Sequence, residues 1–522
     1  MPRSPSTDSP RGAGPVTEHC ENTGDYLLSH GRPDHTAVVD GARSYTYAQL
    51  RAAAGRLAAE LTAAGLPPGS PVGVLGPNSF FWVAAYVAAM KLGHVAVPLS
   101  DKIAPEQAGR NLERVGCRAV FADRRALRRF GAAMVGNVVV ITDDVLEDGR
   151  VAPWPKPTTV PRDLDAVLTF TSGTTAQPKV VRVTHGNIQA NTESIVAFLN
   201  LRSDDRALVI LPFFYCYGAS VLHTHLRVGG RVVLCNSFVF PEAALDQLER
   251  ERCTVFAGVP STFQLLLRAS SFATRPLSSL RLVQQAGGKL APSLIREFLE
   301  ARPTAQLFVM YGQTEATARL SYLPPERLRD KLGSVGRGIP GVELTVLDEH
   351  GRPVTPGVRG EIYARGENIS PGYLDDRAGS AEKFTPHGLR TGDLAVVDDD
   401  GFIFIVGRRD DFIKSWGHRI SSQEIEECVL RMTNSLSAGA VGVPHTAAGE
   451  AVTLFVTAAP GTGLTAGDVL RFCRAHLPKY MVPHSVHIVE SLPVNANGKT
   501  DKPRLRELAL TCPEGGLAAC PE

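Results

Sequence analysis

Short apolar runs alternate with longer helical patterns through the first half of the chain. Apolar runs that predict buried strands lie at 71–75, 95–98, 119–121 and 138–141. Segments rich in alanine, leucine or aromatic residues at 48–64 and 80–90 predict helices between them. A hairpin is predicted where 37–40 and 44–47 flank Gly41. Because strands alternate with helices, we expect an α/β fold with layered parallel sheets.

The second half of the chain predicts two further units. Strand patterns at 342–347 and 360–363 indicate a small β-rich subdomain that closes the large domain. After a charged segment, the patterns indicate helices at 424–431 and 466–476 and strands at 438–443, 452–458 and 486–489. About a hundred residues of this kind suffice for a small α+β domain.

The length of 522 residues predicts roughly two to four structural units. We divide the chain into a disordered leader (1–20), a large N-terminal domain (21–409), a small C-terminal domain (410–507) and a flexible tail (508–522). The leader is rich in Pro, Ser and Gly and lacks the apolar core of a signal peptide. The most apolar window, 80–99, is interrupted by Lys91, Gly93, His94 and Pro98. It therefore predicts a buried helix followed by a strand, and not a membrane span.

Composition and charge exclude several classes of protein. The hydrophobic content of 43% is normal for a globular protein, and the net charge of +2 gives no reason to expect a nucleic-acid or membrane-surface partner. The nine cysteines form no C-x-x-C pair. This usage favours reduced thiols and a cytoplasmic enzyme over a disulfide scaffold or a zinc site.

A hydroxyl-rich loop follows the apolar run 166–168. Its sequence at 169–179 is T-F-T-S-G-T-T-A-Q-P-K, and the Walker A order is absent. Hydroxyls and backbone N–H groups can wrap phosphate oxygens, while the lysine adds positive charge and the glycine lets the backbone approach an anion. The candidate phosphate-binding residues are Thr171, Ser172, Gly173, Thr174, Thr175 and Lys179. On composition alone, the segment also fits an ordinary surface loop.

A second motif, Y-G-Q-T-E, follows a predicted strand. Its residues are Tyr311, Gly312, Gln313, Thr314 and Glu315. A hydroxyl beside a carboxylate suits a Mg²⁺ ion that already carries phosphates. The same pair also fits a helix N-terminus with Thr314 as its N-cap, and the two interpretations are compatible.

Further glycine turns carry weaker signals. Gly287 and Gly288 follow a predicted strand end, where ligands of open α/β sheets bind. Asp393 follows Gly392, and a carboxylate in such a turn can accept hydrogen bonds from the vicinal hydroxyls of a ribose. By itself the T-G-D sequence is an ordinary turn.

Of the last two motifs, one lies at the start of the predicted small domain and the other lies near its end. The charged, glycine-bounded segment 407–420 suits a linker between domains. Near the end of the chain, an Asn-Gly turn presents Lys499. A single exposed lysine is ordinarily solvated surface, so this residue gains meaning only from the motifs before it.

Taken in order, these five motifs resemble those of the adenylate-forming (ANL) superfamily, which includes acyl-CoA synthetases, peptide-synthetase adenylation domains and luciferase-like AMP-dependent ligases. The resemblance covers roughly residues 25 to 507. Besides the loop, the nucleotide-binding residues that it implies are Gly287, Gly288, Tyr311, Gly312, Gln313, Asp393 and Arg408. Thr314 and Glu315 would hold Mg²⁺ through ATP.

The resemblance implies a reaction in two steps. A carboxylic acid and ATP give acyl-AMP and pyrophosphate, and the acyl group then passes to the thiol of CoA or of a carrier protein's phosphopantetheine. Lys499 is implied as the cation of the first step, which needs no general base because the acid is already ionised. The small domain is implied to rotate as a lid about a hinge at Asp410. Lys499 then leaves and Lys414 enters, while Gly417 lines the thiol tunnel or simply serves a turn.

The candidate acyl pocket consists of Phe214, Tyr215, Cys216, Phe256 and Ala286. Amino-acid-activating members place an aspartate near Tyr215 to pair with the α-ammonium, and the segment 213–217 contains no acid. Because an unpaired ammonium in an apolar pocket is costly, we favour an acyl or aryl acid over an α-amino acid. His223 and His225 form H-x-H on a predicted helix, and we interpret them as pocket wall or core, not as a metal site.

Several alternatives stay open. Ala176 and Val180 stand where the family usually has glycine, which leaves the loop's mobility open. An enzyme of this kind could also pass its acyl-AMP to an amine or to water, and an inactive binding module of the same fold is a further alternative. The expected partners are a small carboxylic acid and, as the alternative to CoA, a separate carrier protein, because the stretch after Arg506 is too short for a carrier domain.

Overall fold

The computed structural model describes residues 19–134, 138–147, 152–171, 178–238, 240–409, 411–495 and 498–511. The loop candidates Ser172, Gly173, Thr174 and Thr175 and the hinge candidate Asp410 lie outside the described residues. Strand structure begins at His19, inside the predicted leader, and the last helix continues to Thr511, past the predicted domain end at 507.

Helices alternate with short strands in the first third of the chain. The helices are α1 (Thr23–Leu28), α2 (Tyr47–Ala63), α3 (Phe80–Lys91), α4 (Pro105–Arg114) and α5 (Arg124–Phe130). The strands are β1 (His19–Glu21), β2 (Thr36–Asp40), β3 (Arg43–Thr46), β4 (Pro71–Leu75), β5 (Val95–Leu99), β6 (Ala119–Ala122), β7 (Val139–Ile141), β8 (Thr159–Pro161) and β9 (Asp165–Phe170). The predicted hairpin and the predicted buried helix and strand are confirmed, since β2 pairs with β3 antiparallel and every residue of α3 and β5 is buried.

The middle of the chain continues the alternation. Its helices are α6 (His185–Leu199), α7 (Cys216–Arg227), α8 (Pro241–Arg250), α9 (Pro260–Arg268) and α10 (Pro292–Ala301). Its strands are β10 (Val180–Thr184), β11 (Arg206–Val209), β12 (Arg231–Leu234), β13 (Val255–Gly258), β14 (Leu282–Gln285), β15 (Gln306–Tyr311) and β16 (Ser321–Leu323). Three of the helices have proline in their first turn, where its missing N–H has no intrahelical partner to lose.

The remaining elements form two smaller units. The β-rich one contains β17 (Val342–Leu347), β18 (Gly360–Gly366), α11 (Arg377–Lys383), β19 (Phe384–Thr385), β20 (Gly388–Val397) and β21 (Ile403–Arg408). The C-terminal one contains β22 (Phe412–Ser415), β23 (His418–Ser421), α12 (Ser422–Val429), β24 (Ser435–His445), β25 (Gly449–Ala458), α13 (Ala466–His476), β26 (Ser485–Ile488) and α14 (Lys502–Thr511). The predicted β-rich subdomain and the predicted small α+β unit are therefore confirmed.

Two largely parallel sheets form the framework of the large part of the molecule. One has the strand order β10-β9-β5-β4-β6-β7, and the other β16-β15-β14-β13-β11-β12-β2-β3. The main core joins both sheets and includes buried faces of α2, α3, α6 and α7, so these helices fill the layer between them. A second core on the outer face of the eight-stranded sheet includes residues of α8, α9 and α10. The predicted α/β fold with a large N-terminal part and a small C-terminal part is confirmed.

Arg268, at the end of α9, links the large part to the C-terminal unit. Its guanidinium donates to the backbone oxygens of Leu430, Met432 and Ser435, and it pairs with Glu297. The second core also continues into the C-terminal sheet. The two parts are thus held in one orientation by apolar packing and by an arginine whose side chain is almost wholly buried.

No helix of the described residues is long and apolar enough to cross a membrane. Within the same residues, no group of three or more His, Cys, Asp or Glu side chains lies close enough to hold a metal ion.

A buried ion pair ties the start of the described chain to α3. Lys91 Nζ lies 2.6 Å from Asp25 Oδ2, and both side chains are less than 5% exposed. The same carboxylate accepts hydrogen bonds from Trp154 Nε1 and from the backbone N–H of Thr158. These contacts hold α1 against α3 and against the segment that leads into β8 and β9.

We expect the Asp25→Ala variant to lower the free energy of unfolding by about 3–5 kcal/mol, because it leaves the Lys91 ammonium buried without a counter-charge. Urea denaturation followed by tryptophan fluorescence measures the effect. Asp34→Ala is the matched control, since Asp34 pairs with Arg32 on an exposed surface and its loss should leave the transition midpoint unchanged. Equal midpoints for the two variants would show that the buried pair contributes nothing.

Candidate active site

The candidate site lies at the carboxyl ends of β13, β14 and β15. These three strands are parallel neighbours, so their ends meet at one edge of the sheet. Gly287, just after β14, has φ +87, and a Cβ there would lie 3.0 Å from the Tyr215 hydroxyl. At Gly312, just after β15, a Cβ would collide with the backbone oxygen of Ala318. Both glycines are therefore required by the close approach of the protein's own atoms at the strand ends.

Asp393 is the centre of a polar cluster beside β15. Its Oδ2 accepts a 2.6 Å hydrogen bond from the Tyr311 hydroxyl, and its Oδ1 accepts a 3.0 Å hydrogen bond from Arg408 Nε. Burial, followed by the negative charge of Asp393, raises the pKa of Tyr311 well above its usual value. Asp393 and Arg408 face each other across the β20–β21 pair. The backbone register thus brings Asp393 and Arg408 together, and the hydrogen bond from Tyr311 adds a residue that is 82 positions from Asp393 in sequence.

Glu315 forms a second carboxylate centre. It lies in a short 3-10 helix, Thr314–Ala316, and its Oε1 accepts a 2.7 Å hydrogen bond from the Tyr373 hydroxyl. Thr314 is not the N-cap of this helix; Gln313 holds that position without a side-chain capping bond. The Thr314 hydroxyl instead lies 3.6 Å from Cys216 Sγ. The hydroxyl of Thr314 therefore stays near the candidate acyl pocket.

The ends of the candidate phosphate loop are held by strand pairing. β9 and β10 are antiparallel, and the backbone N–H of Thr171 donates to the backbone oxygen of Lys179 at 2.9 Å. The Lys179 ammonium lies 4.6 Å from the centre of the Tyr373 ring. One tyrosine therefore contacts both Lys179 and Glu315, and it links this lysine to the second carboxylate centre.

Lys499 reaches this site from the C-terminal unit. The turn before it is held by hydrogen bonds between Asn495 and the backbone N–H groups of Gly498 and Lys499. Ser261 Oγ, on α9, donates to the backbone oxygen of Gly498 at 3.0 Å. The Lys499 ammonium lies 5.6 Å from the centre of the Tyr215 ring.

The environment of Lys499 disfavours its charged form. Burial is the main cause that lowers the pKa of Lys499; Arg408 lowers it further, while Cys216, Asp393 and Glu315 raise it. The structure thus places a partly desolvated cation next to both carboxylate centres. A negative ligand in this space would restore the protonated form.

The candidate acyl pocket is assembled from β14 and the start of α7. Tyr215 and Ala286 belong to the main core between the sheets, and Phe214 and Cys216 pack against it. Phe256 does not belong to the pocket. It lies in the second core, where its ring packs 6.3 Å from that of Phe238 on the opposite face of the sheet. The sequence prediction placed it on the wrong face, because side chains alternate along β13 and its neighbour Ala257 faces the pocket side.

Lys414 and Gly417 lie away from this site. They belong to the β22–β23 hairpin, whose turn exposes Lys414, Trp416 and Gly417. Gly417 has φ +75, and a Cβ there would meet no atom within 4 Å. In this arrangement the turn alone requires the glycine. The role of Gly417 in the thiol tunnel stays a prediction.

His223 and His225 are buried side chains of α7. His223 Nε2 forms a 3.0 Å hydrogen bond with the Tyr86 hydroxyl, and His225 Nδ1 bonds to the backbone oxygen of Val221. Burial lowers the pKa of His223 to about 3. Both histidines are therefore neutral core residues, in agreement with the sequence interpretation.

Sequence patterns did not identify two residues near the site, Tyr373 and Arg319. Tyr373 follows a Pro-Gly pair in a segment with no candidate chemistry, and Arg319 lies four residues after Glu315. Arg319 is 1% exposed, and its guanidinium lies 4.0 Å from the centre of the Tyr217 ring. An arginine in an otherwise apolar stretch is a signal that the sequence contains. The direction in which its side chain points cannot be read from the sequence.

Comparisons with known proteins agree with this geometry. The AMP-binding enzyme family matches residues 29–374, and the AMP-binding enzyme C-terminal domain family matches residues 424–499. The feruloyl-CoA synthase of an Amycolatopsis species is 32% identical, over 91% of this chain and 96% of its own.

Two solved structures are similar over nearly their whole length. The o-succinylbenzoate CoA synthetase of Bacillus subtilis, in complex with its acyl-adenylate intermediate, has a TM-score of 0.83 and 27% identity, covering 96% of this chain and 100% of its own. The amide bond synthetase of Marinactinospora thermotolerans has a TM-score of 0.83 and 28% identity, covering 93% and 99%.

Proposed function

The chain belongs to the AMP-binding enzyme family, and from this premise we propose how its own residues divide the reaction. It is an AMP-forming acid–thiol ligase that uses ATP, Mg²⁺ and CoA. The first step joins a carboxylic acid to ATP as acyl-AMP and releases pyrophosphate. The second step transfers the acyl group to the thiol and releases AMP.

The position of Lys499 carries the residue assignment. We place its ammonium against the oxygens that gather charge when the acid's carboxylate attacks the α-phosphorus. One oxygen–phosphorus bond forms, the bond from that phosphorus to the pyrophosphate oxygen breaks, and no proton needs to be removed from the acid. A cation that lies beside the Tyr215 ring, on a turn that Ser261 holds through the backbone oxygen of Gly498, costs no reorganisation when the charge develops.

The two carboxylate centres would hold opposite ends of the nucleotide. Asp393 and Arg408 are proposed to bind the ribose, with Tyr311 fixing the carboxylate's direction. Gly287, Gly288 and Gly312, at the ends of β14 and β15, are proposed to contact the nucleotide. Thr171, Lys179 and the loop residues Ser172, Gly173, Thr174 and Thr175 would bind the phosphates, and Gln313 would contact the nucleotide beside them.

Thr314 and Glu315 fit a magnesium ion that carries ATP. Their hydroxyl and carboxylate are adjacent hard oxygen donors, and the Tyr373 hydrogen bond leaves Glu315 with further acceptor capacity. When bound, the ion would neutralise phosphate charge. The contribution of this chain is to keep both oxygens fixed at the end of β15.

The pocket favours an acyl or aryl acid over an α-amino acid. Among the described residues that we assign to it (Phe214, Tyr215, Cys216 and Ala286), none carries a negative charge that could pair with an ammonium. The thiol of Cys216 does not supply one either, because burial raises its pKa. An α-ammonium would therefore be buried without a partner.

The small C-terminal unit would act as a lid between the two steps. We propose a boundary near residue 410, with Asp410 as the hinge, so that rotation withdraws Lys499 and brings the hairpin with Lys414 and Gly417 to the site. Lys414 would then assist thioester formation, and Gly417 would line the thiol's path. Exposure of this hairpin while Lys499 occupies the site is the observation that supports an exchange.

We also propose the acceptor of the acyl group and the cellular compartment of the enzyme. CoA is the acceptor named for the relatives, a carrier protein's phosphopantetheine is a second thiol of the same chemistry, and the likeness to an amide bond synthetase favours an amine as the alternative acceptor. Seven described cysteines are free, which supports a reducing compartment, the cytoplasm.

The function is tested by pyrophosphate release from ATP and Mg²⁺ over a panel of acyl, aryl and amino acids, with and without CoA. We expect release with an acyl or aryl acid and stimulation by CoA. In Lys499→Ala, release should fall by about 10²–10³-fold, as when one stabiliser of developing charge is removed. Lys479→Ala, an exposed lysine of the same unit, is the control. Normal release by Lys499→Ala would contradict the assignment.

The lowered pKa of Lys499 predicts a pH dependence. The protonated ammonium is the active form. We therefore expect kcat/KM for ATP to be constant at mildly alkaline pH and to fall as the pH rises through the pKa of Lys499, which lies below lysine's usual value. In Lys499→Arg, the guanidinium stays protonated and the fall should move to higher pH, at a lower maximal rate. An unchanged alkaline limb in this variant would assign the titration to another group.

A substitution at Gly417 can separate a role in the thiol tunnel from a role in the β22–β23 turn. Asn tolerates a positive φ, so Gly417→Asn should leave pyrophosphate release intact while slowing thioester formation by about tenfold or more through steric blockage. Gly461→Asn is the matched control, because Gly461 has φ +74 and open space around its Cβ. If Gly417→Asn slows neither step, the turn alone explains the glycine.

A further inference from the structure

Arg319 is a buried cation without a carboxylate partner. Its Nε donates to Met310 Sδ at 3.4 Å, its guanidinium lies over the Tyr217 ring, and its Nη2 has no hydrogen-bond partner. No Asp or Glu in the described parts of the chain forms a salt bridge with it. Burial lowers the pKa of Arg319, yet an arginine side chain stays protonated in proteins.

Such an arrangement is costly unless a ligand completes it. A buried charge needs a partner and hydrogen bonds, and an aromatic face and a thioether sulfur supply only part of what water would. Arg268, another buried arginine, shows the contrast: it pairs with Glu297 and donates to three backbone oxygens. Among the described residues, Arg319 has neither a carboxylate partner nor a hydrogen bond to a backbone oxygen.

The guanidinium lies on the acyl-pocket side of the sheet. Met310 and Tyr217 belong to the same core as Tyr215 and Ala286, and the charge of Arg319 acts on the thiol of Cys216. It is therefore among the pocket candidates and not in the second core, where Phe256 lies.

A second polar group without a partner accompanies it. Gln284 is 1% exposed, and its Nε2 has no hydrogen-bond partner. Alternation along β14 places Gln284 on the same face as Leu282 and Ala286, both members of the main core. The Tyr217 hydroxyl donates to the backbone oxygen of Gln284, so one tyrosine contacts both Gln284 and the Arg319 guanidinium. This part of the core, beside the candidate acyl pocket, thus offers two unpartnered donors, and neither forms a hydrogen bond or ion pair with a described carboxylate.

We propose that Arg319, assisted by Gln284, binds an acceptor oxygen at the far end of the acid, so that this enzyme selects acids with a second carboxylate or a distal carbonyl. The inference rests on the proposed function, because it names the class of acid that the same pocket takes. Arg319 would be a specificity-determining residue. It takes no part in the reaction at the α-phosphorus.

The test uses three acids of equal length: octanoate, its oxo derivative with the carbonyl near the far end, and octanedioate. Pyrophosphate release gives kcat/KM for each. We expect wild-type enzyme to prefer one or both oxygenated acids by about ten- to a hundredfold, the range for a hydrogen bond to a charged group. The ratio of octanedioate to the oxo acid then tells whether the distal group is a carboxylate or a carbonyl.

In Arg319→Met, the preference should fall close to one while octanoate is used no less well. Arg302→Met is the matched control, since Arg302 is a partly buried arginine that binds backbone oxygens at the far end of α10. It should keep the wild-type ratio. An equal loss for all three acids in Arg319→Met would mean that Arg319 contacts the reacting carboxylate or only supports the fold, and would overturn the proposal.

Thermal unfolding provides a readout that does not depend on turnover. Without substrate, Arg319→Met should unfold at the same or a higher temperature than wild type, because the variant removes a buried charge without a partner. Octanedioate or the oxo acid should raise the wild-type Tm more than octanoate does, and Arg319→Met should lose that difference. If no acid releases pyrophosphate, the proposed function fails, and this measurement still decides whether Arg319 binds the distal group. Identical shifts in both proteins would refute it.

Discussion

The structure depends on moving one ammonium group out of water. Lys499 belongs to the C-terminal unit, yet its side chain ends beside Tyr215 at the edge of the eight-stranded sheet. Desolvation opposes this placement, as the lowered pKa of Lys499 indicates. The opposing free energy comes from the docking of the whole unit: apolar packing against α9, the buried Arg268 and the Ser261 hydrogen bond. The active arrangement is therefore a property of domain packing and not of the lysine's own loop.

Two tyrosines prepare the site before any ligand arrives. Tyr311 fixes Asp393, and Tyr373 fixes Glu315, each through a hydrogen bond shorter than 2.8 Å. Each phenol occupies one carboxylate oxygen and thereby sets the direction of the other. Since Tyr373 also contacts Lys179, the base of the phosphate loop and the second carboxylate centre share one support. The geometry therefore passes from the sheet edge to the ligand-binding groups through rigid aromatic side chains.

Much of this arrangement could be predicted from the sequence. Glycines and oxygen-bearing side chains after apolar runs indicate strand ends, and the hydrophobic pattern located the strands and helices of both parts. Phe256 shows the limit, since a pattern of four apolar residues does not tell which of two buried faces a side chain meets. Tyr373 and Arg319 show a second limit. Tyr373 matters because it contacts Glu315, more than 50 residues away in sequence, and Arg319 matters because its Nη2 has no hydrogen-bond partner.

The carboxylates and the cations around the candidate pocket differ in whether they have partners. Every described carboxylate at the site already has a donor, Asp393 from Tyr311 and Arg408 and Glu315 from Tyr373. The cations Lys499 and Arg319, in contrast, form no salt bridge among the described residues and lie against the rings of Tyr215 and Tyr217, beside the candidate acyl pocket. Spare positive charge at these two places repels an ammonium-bearing substrate. The two cations differ in origin, since Lys499 belongs to the C-terminal unit and Arg319 contacts Met310 of β15, so a ligand that is negative or strongly polar at both ends meets two distinct environments.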